Sequence, residues 1–180
     1  MNYDHRQTAL GYLQEELCVL PAKRADKRPY VGSWKQYQQR LPTQMELDAW
    51  FSNPQDGVCI ITGQVSGNLE VIDFDNGGEL FDAWYALVPA DLRNRLVIEQ
   101  TPSGGWHVIF RCETEISGNM KLAQRKDGRK IHTLIETRGE GGLFLCAPTA
   151  GYELMQGELT HLSVLAESER EILLEAAWSL

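Results

Sequence analysis

Three segments of the chain carry residue types whose spacing could act on a phosphate. In Val71-Ile-Asp-Phe-Asp75, two carboxylates stand two residues apart within a strand-forming run. Side chains alternate across a strand, so Asp73 and Asp75 share one face while Ile72 and Phe74 turn to the core. Paired carboxylates repel and lose hydration, which is tolerable mainly when cations sit between them. Hard divalent ions such as Mg²⁺ take such oxygens and keep positions open for a substrate phosphate. The competing reading is a strand end whose aspartates cap the turn at Asn76-Gly77-Gly78.

The second segment is Thr101-Pro-Ser-Gly-Gly-Trp-His-Val-Ile-Phe110. Ser103, Gly104 and Gly105 make a tight loop able to present backbone N–H groups to an anion. His107 leaves the following strand opposite Trp106, Val108 and Phe110, on the side of Arg111, where it could donate to a phosphate oxygen or a sugar hydroxyl. A Gly-Gly hairpin with a surface histidine is the alternative. In the third segment Glu136 ends one strand, Gly139–Gly142 turns, and Leu143–Pro148 returns. Glu136 is thereby positioned to add a third carboxylate, and Arg138 shares its side if the strand runs that far; alone, this is also an ordinary hairpin with a solvated glutamate. Together the three segments make a better case for a two-metal site than any one of them alone. Metals held about 3.5–4 Å apart by a few carboxylates can bridge a triphosphate and activate an attacking hydroxyl.

The elements that must position these groups are legible from periodicity and caps. Residues 5–17 read as a helix with Leu10, Leu13 and Leu17 on one face. A short strand at Cys18–Pro21 leads into an irregular basic loop marked by Pro29, Gly32 and Trp34. Thr43-Gln-Met-Glu46 is a capping box opening a helix to about Phe51 that buries Leu47 and Trp50. Strand character follows at Val58–Ile61, Leu69–Phe74, Leu96–Glu99, Trp106–Phe110, Ile131–Ile135 and Leu143–Cys146, with a helix over Glu79–Leu87 between the second and third. Ser168-Glu-Arg-Glu171 reads as a second capping box, starting a final helix that reaches Trp178. The order predicts an α+β fold, with helices on one face of a mostly antiparallel sheet.

Composition bounds the function. The 180 residues, 43% apolar and 23% charged, suit one folded domain. No run of about 18 apolar residues is present, so no membrane span is expected. The N-terminal segment over residues 1–17 carries acids and lacks the apolar run of a secretory leader. Cys18, Cys59, Cys112 and Cys146 form no C-x-x-C pair, so zinc-ribbon and redox motifs fail and a cytoplasmic setting is expected. A formal charge of −8 argues against gripping nucleic acid by bulk charge. The charge is uneven, however. Residues 21–40 carry six cations against Asp26 alone, and residues 119–138 carry six against Asp127 and Glu136. Such segments are either solvated loops or local contacts to a polyanion.

These features together resemble the primase-polymerase (Prim-Pol) family of the archaeo-eukaryotic primase superfamily, found at the N-terminus of many plasmid and phage replication proteins. The resemblance covers nearly the whole chain: Val19-Leu-Pro21, Lys27-Arg-Pro29 and Trp34, Ile61-Thr-Gly63 with Ser66-Gly67, the Asp73/Asp75 pair, Ser103-Gly-Gly with His107, Glu136 with Arg138-Gly, Leu145-Cys-Ala-Pro148, and the closing helix. It implies an RRM-like, mostly antiparallel catalytic sheet with packed helices, beside a small N-terminal αβ unit. It implies that Asp73, Asp75 and Glu136 bind two catalytic metals, Mg²⁺ or Mn²⁺, and that His107 contacts the incoming nucleotide. Many relatives have Glu second and Asp third, the reverse of Asp75 and Glu136 here, which exchanges carboxylate for carboxylate. The cysteine–histidine zinc insert of some relatives is absent, so no structural zinc is expected.

The activity expected is that of a DNA-directed nucleotidyltransferase, extending or initiating strands on single-stranded DNA from (deoxy)nucleoside triphosphates with release of pyrophosphate. Ser103, Gly104, Gly105 and His107, with Lys121 or Arg138, are expected to hold the triphosphate, and Lys27, Arg28 and Lys35 to track template or primer phosphates. Residues 1–180 are expected to form a single catalytic domain leading a longer replication protein, with a helicase or helical priming domain following it. The rival readings are a metal-dependent nuclease and a non-catalytic DNA-binding module of a replication helicase.

Overall fold

The computed structural model describes residues 5–180. Residues 1–4, the start of the segment read above as lacking a secretory leader, lie outside the described residues. In chain order the elements begin with α1 (His5–Gln14), β1 (Cys18–Lys23), β2 (Arg28–Pro29), α2 (Gln44–Trp50), β3 (Gly57–Ile61) and β4 (Leu69–Phe74). They continue with α3 (Phe81–Leu87), α4 (Ala90–Arg93), β5 (Val97–Gln100), β6 (Trp106–Cys112), β7 (Lys121–Asp127) and β8 (Lys130–Arg138). The last are β9 (Leu143–Cys146), β10 (Glu153–Gln156), β11 (Val164–Leu165) and α5 (Glu167–Trp178).

Two sheets result, and they are the catalytic-type sheet and small unit that the resemblance implies. The larger runs β10-β5-β6-β4-β8-β7, all antiparallel, with β11 beside β6 in the parallel sense. The smaller runs β2-β1-β3-β9 and is antiparallel throughout. Alternation along β4 sends Ile72 and Phe74 into a core with α3, α4 and α5, and Leu69 and Val71 into a second core under the small sheet. Helices therefore cover one face of the large sheet, as expected, while its other face is covered by the small sheet and α1.

The first core also steadies the strand ends that carry the chemistry. Phe74, one residue from both aspartates, packs edge-on to Phe81 at 5.3 Å, and Phe81 stacks on Trp106 at 4.4 Å, beside His107. Such aromatic pairs contribute about 0.5–1.5 kcal/mol each beyond their burial. Trp84, fully buried, completes the group and donates its indole N–H to the Leu173 carbonyl, tying α3 to α5. A second tie runs through charge. Glu70 and Arg170 meet at 2.5 and 2.9 Å with Glu70 completely buried, joining α5 to the back of β4.

Several local expectations need correction. α1 ends at Gln14, so Leu17, fully buried, lies beyond it; Ala9 and Tyr12 are the buried residues of the helix, Leu10 and Leu13 pack partly buried against the same core, and the Tyr12 hydroxyl donates to the Ala147 carbonyl at 2.6 Å. Only Leu47 of α2 is buried; Trp50 is half-buried, edge-on to Tyr37. The capping box of α2 forms as read, with Thr43 Oγ1 accepting from the Glu46 N–H and Glu46 accepting from the Thr43 N–H. The second box does not form where expected. α5 starts at Glu167, and Glu169 accepts from the Ala166 N–H, so Ser168 lies inside the first turn. β11 pins Val164 and Leu165 against β6 and so sets where the helix begins. β2, β7, β10, β11 and α4 were not expected; β7 in particular, Lys-Leu-Ala-Gln-Arg-Lys-Asp, is polar and lacks strict alternation.

Candidate active site

Register brings the separate motifs into one row. Across four neighbouring strands Glu99 of β5 stands opposite His107 of β6, His107 opposite Asp73 of β4, and Asp73 opposite Glu136 of β8. Lys121 of β7 continues the row opposite Glu136. Directly opposed residues share a face, here the face turned to the small sheet. Asp75 lies just beyond the end of β4. One carboxylate oxygen from each of Asp73, Asp75 and Glu136 falls within 4.8 Å of the other two.

The cleft above this row measures about 530 Å³. Asp73, Asp75 and His107 form its floor, with Glu136 beside them and outside the lining, and Lys27, Arg28 and Trp34 of the small unit also line it, with Phe144 and Tyr152 beside the imidazole. His107 is 5% exposed, which excludes the surface-histidine reading. Its Nδ1 lies 3.0 Å from Glu99 Oε1, and its Nε2 lies 3.6 Å from Asp73 Oδ1. The second oxygen of Glu99 accepts from the Ala147 N–H at 2.8 Å. Glu99 is wholly buried, so these bonds are what make its carboxylate tolerable there.

Arg138 sits among the acids. Its Nη2 is 3.0 Å from Asp73 Oδ2 and 2.6 Å from Glu136 Oε1, so one guanidinium nitrogen bridges two carboxylates. The acid cluster keeps that guanidinium charged even though burial opposes it. Among the described residues Asp75 has no such partner. Its side chain caps nothing in the turn that follows, which removes the turn-capping alternative for this residue. Burial, then the charges of Asp73 and Glu136, push its carboxyl up to about 6. Three hard oxygen donors, one uncompensated and two held by a single cation, could hold a divalent metal ion.

Residues 9–167 match the family described as bifunctional DNA primase/polymerase, N-terminal (Prim-Pol). The chain belongs to the Prim-Pol family. Prim-Pol domains are nucleotidyl-transferring enzymes of DNA replication, so a cluster of oxygens that could hold a divalent metal has a ready use there. No curated protein matches the chain. Among the described residues no helix is long and apolar enough to cross a membrane, and all four cysteines are buried and free.

The other expected residues of this Prim-Pol chain fall into two groups. Ser103 lines the cleft, and Gly105 lets its loop lie against β4, since a Cβ there would collide with the Phe74 carbonyl oxygen between the two aspartates. Gly104 adopts φ +82°, a left-handed conformation that favours glycine, and donates its N–H to the Thr101 carbonyl at 3.0 Å. That N–H is spent inside the turn, so the loop offers an anion less than its three-residue sequence promised. Lys27 and Arg28 line the cleft; Lys35 is exposed on the turn over Lys35–Gln38 and is not part of the wall. Lys121 is exposed, opposite Glu136 in register but outside the cleft lining, and Arg111 turns away to the Ser66 and Glu15 carbonyls. Glu99 belongs to none of the three sequence segments that carry the other site residues. Its signal was a lone carboxylate in Val97-Ile98-Glu99, two residues after Val97 and therefore on the same core-facing side.

Proposed function

We propose that the chain is a DNA-directed nucleotidyltransferase that extends, and can initiate, a strand on a single-stranded DNA template, releasing pyrophosphate. The observation that carries this reading is the convergence of Asp73, Asp75 and Glu136 within 4.8 Å beside a buried histidine, in a chain of the Prim-Pol family. The three carboxylates would hold the divalent ions. When bound, such ions lower the pKa of the attacking 3′-hydroxyl and neutralise charge developing on the leaving phosphates.

The protein's own groups do the rest. Glu99 accepts from Nδ1–H and so orients the imidazole, leaving Nε2 at the cleft to donate to a triphosphate oxygen when that nitrogen carries a proton. Arg138 balances the charges of Asp73 and Glu136, and its guanidinium would be available to a phosphate if a divalent ion held by the same carboxylates supplied that balance instead. Lys27 and Arg28, in the cleft lining, favour the approach of the triphosphate or of template phosphates.

The test is strand synthesis on single-stranded DNA with labelled nucleotides and Mg²⁺ or Mn²⁺, with and without a primer, beside an Asp73→Ala/Asp75→Ala double variant. Synthesis with pyrophosphate release that the variant abolishes supports the reading, and product in the primer-free lane adds initiation. DNA shortening without any nucleotide would replace it with a nuclease.

A further inference from the structure

Beyond the site, the second basic segment forms a feature that the reaction as described does not use. β8 pairs with β4 only from Ile135 to Arg138. Toward its start, residues 130–133 have β7 as their only strand partner among the described residues, so the β7–β8 hairpin projects past the sheet as a two-stranded ribbon. All residues from Gln124 to Ile131 are exposed. Two-stranded ribbons are marginal by themselves in water, and over residues 124–131 this one carries four cations against Asp127 alone, which stands opposite Lys130 in register. Arg125 is paired with Glu79 at 2.8 Å, but Lys126, Arg129 and Lys130 have no ion pair or side-chain hydrogen bond among the described residues. At the tip Ile131, opposite Lys126 in register, is 65% exposed. A concentration of free cations on a chain of formal charge −8 points to a polyanion as its partner.

The placement of the ribbon says which polyanion. β8 is continuous from Lys130 at the tip to Glu136 and Arg138 at the site. Six strand residues span roughly 20 Å, the length of about six base pairs at about 3.4 Å each. We propose that the β7–β8 ribbon is a DNA-binding arm that holds the phosphate backbone of the primer–template duplex as it leaves the site, through Lys126, Arg129 and Lys130, with Ile131 lying against the groove. This rests on the nucleotidyltransferase reading, which supplies the duplex. Contact is to phosphates and sequence-independent, as a surface following newly made DNA requires.

The test compares the wild-type chain with Lys126→Gln/Arg129→Gln/Lys130→Gln, three exposed positions whose replacement leaves the core untouched; circular dichroism and melting temperature confirm the fold. Binding is read by fluorescence anisotropy on two overhung duplexes, of about 12 and about 4 base pairs, at two salt concentrations fourfold apart. Each phosphate contact contributes about 0.9 to the slope of log K against log salt, so on the longer duplex wild type should lose about 40-fold more affinity than the variant as salt rises. On the shorter duplex, which ends before the arm, the two proteins should behave alike. Equal salt slopes on the longer duplex overturn the proposal, as does an equal difference on both lengths. If wild type extends primers while the slopes match, only the arm fails. If wild type neither binds DNA nor makes product, the nucleotidyltransferase reading falls with it.

Discussion

Replacing Asp75 with asparagine separates a metal ligand from a structural aspartate. In the metal-free chain the Asp75 carboxyl sits at about 6, raised by burial and by the charges of Asp73 and Glu136. A folded-state value above the unfolded one means the folded chain holds the proton more tightly. Ionisation therefore costs stability, fully above about pH 6 and not at all below the ordinary value of 3.8. At 1.36 kcal/mol per tenfold change, the rise from 3.8 to about 6 corresponds to about 3 kcal/mol; because Asp75 is half-exposed, solvent screening reduces this to about 1–1.5 kcal/mol. Asp75→Asn removes that cost. At pH 7.5 without metal the variant should melt about 2–5 °C above wild type, as expected for a chain of this size, and the gap should close near pH 4.

Adding Mn²⁺ should reverse the order. At about a hundredfold excess over its dissociation constant, bound metal stabilises the folded state by about 2.7 kcal/mol, so wild type rises past a variant that has lost a ligand. Metal affinity of wild type should also fall about tenfold per pH unit below 6, because one proton must leave for metal to bind. Differential scanning calorimetry across pH, with and without Mn²⁺, measures all of this. A metal-free Asp75→Asn variant that melts below wild type, or a wild type whose melting temperature ignores Mn²⁺, would refute the reasoning.

Three further outcomes are expected. His107→Ala removes a charge-assisted bond of roughly 1.5–3 kcal/mol to the triphosphate, so nucleotide kcat/KM should drop about ten- to a hundredfold while template affinity holds; equal loss of both would contradict the assigned role. Glu99→Gln keeps the shape of the buried group but weakens its hold on Nδ1, and steady-state kinetics should show kcat/KM about tenfold lower, since charge-assisted bonds are about twice as strong as neutral ones. A lower melting temperature with kcat/KM unchanged would make Glu99 a brace only. Arg170→Met strands the buried Glu70 carboxylate and should cost about 3–5 kcal/mol in urea unfolding; a cost below about 1 kcal/mol would mean the pair does not anchor α5.

What could be read from the sequence was local. Alternation in Val71–Asp75 put both aspartates on one face, Thr43 and Glu46 announced the start of α2, and the apolar runs located β3, β4 and β9, because in each case the cause lies within a few residues. The three acids and the histidine could be nominated in the same way. What joins them is register between strands far apart in the chain: Asp73 meets Glu136 and His107 only because β4 is paired on both sides. The Glu99 brace, the Arg138 bridge and the Lys27–Arg28 lining of the cleft arise from the same long-range pairing, which no local spacing encodes. Where local and tertiary signals competed, the tertiary one prevailed. β7 is a strand because β8 offers it an unpaired edge, despite a polar sequence. α5 begins ahead of its Ser168 signal because Leu165, buried beside β6, determines where the chain is free to turn. Hydrogen bonds to a neighbouring strand and burial of one leucine outweigh a cap worth about 1 kcal/mol.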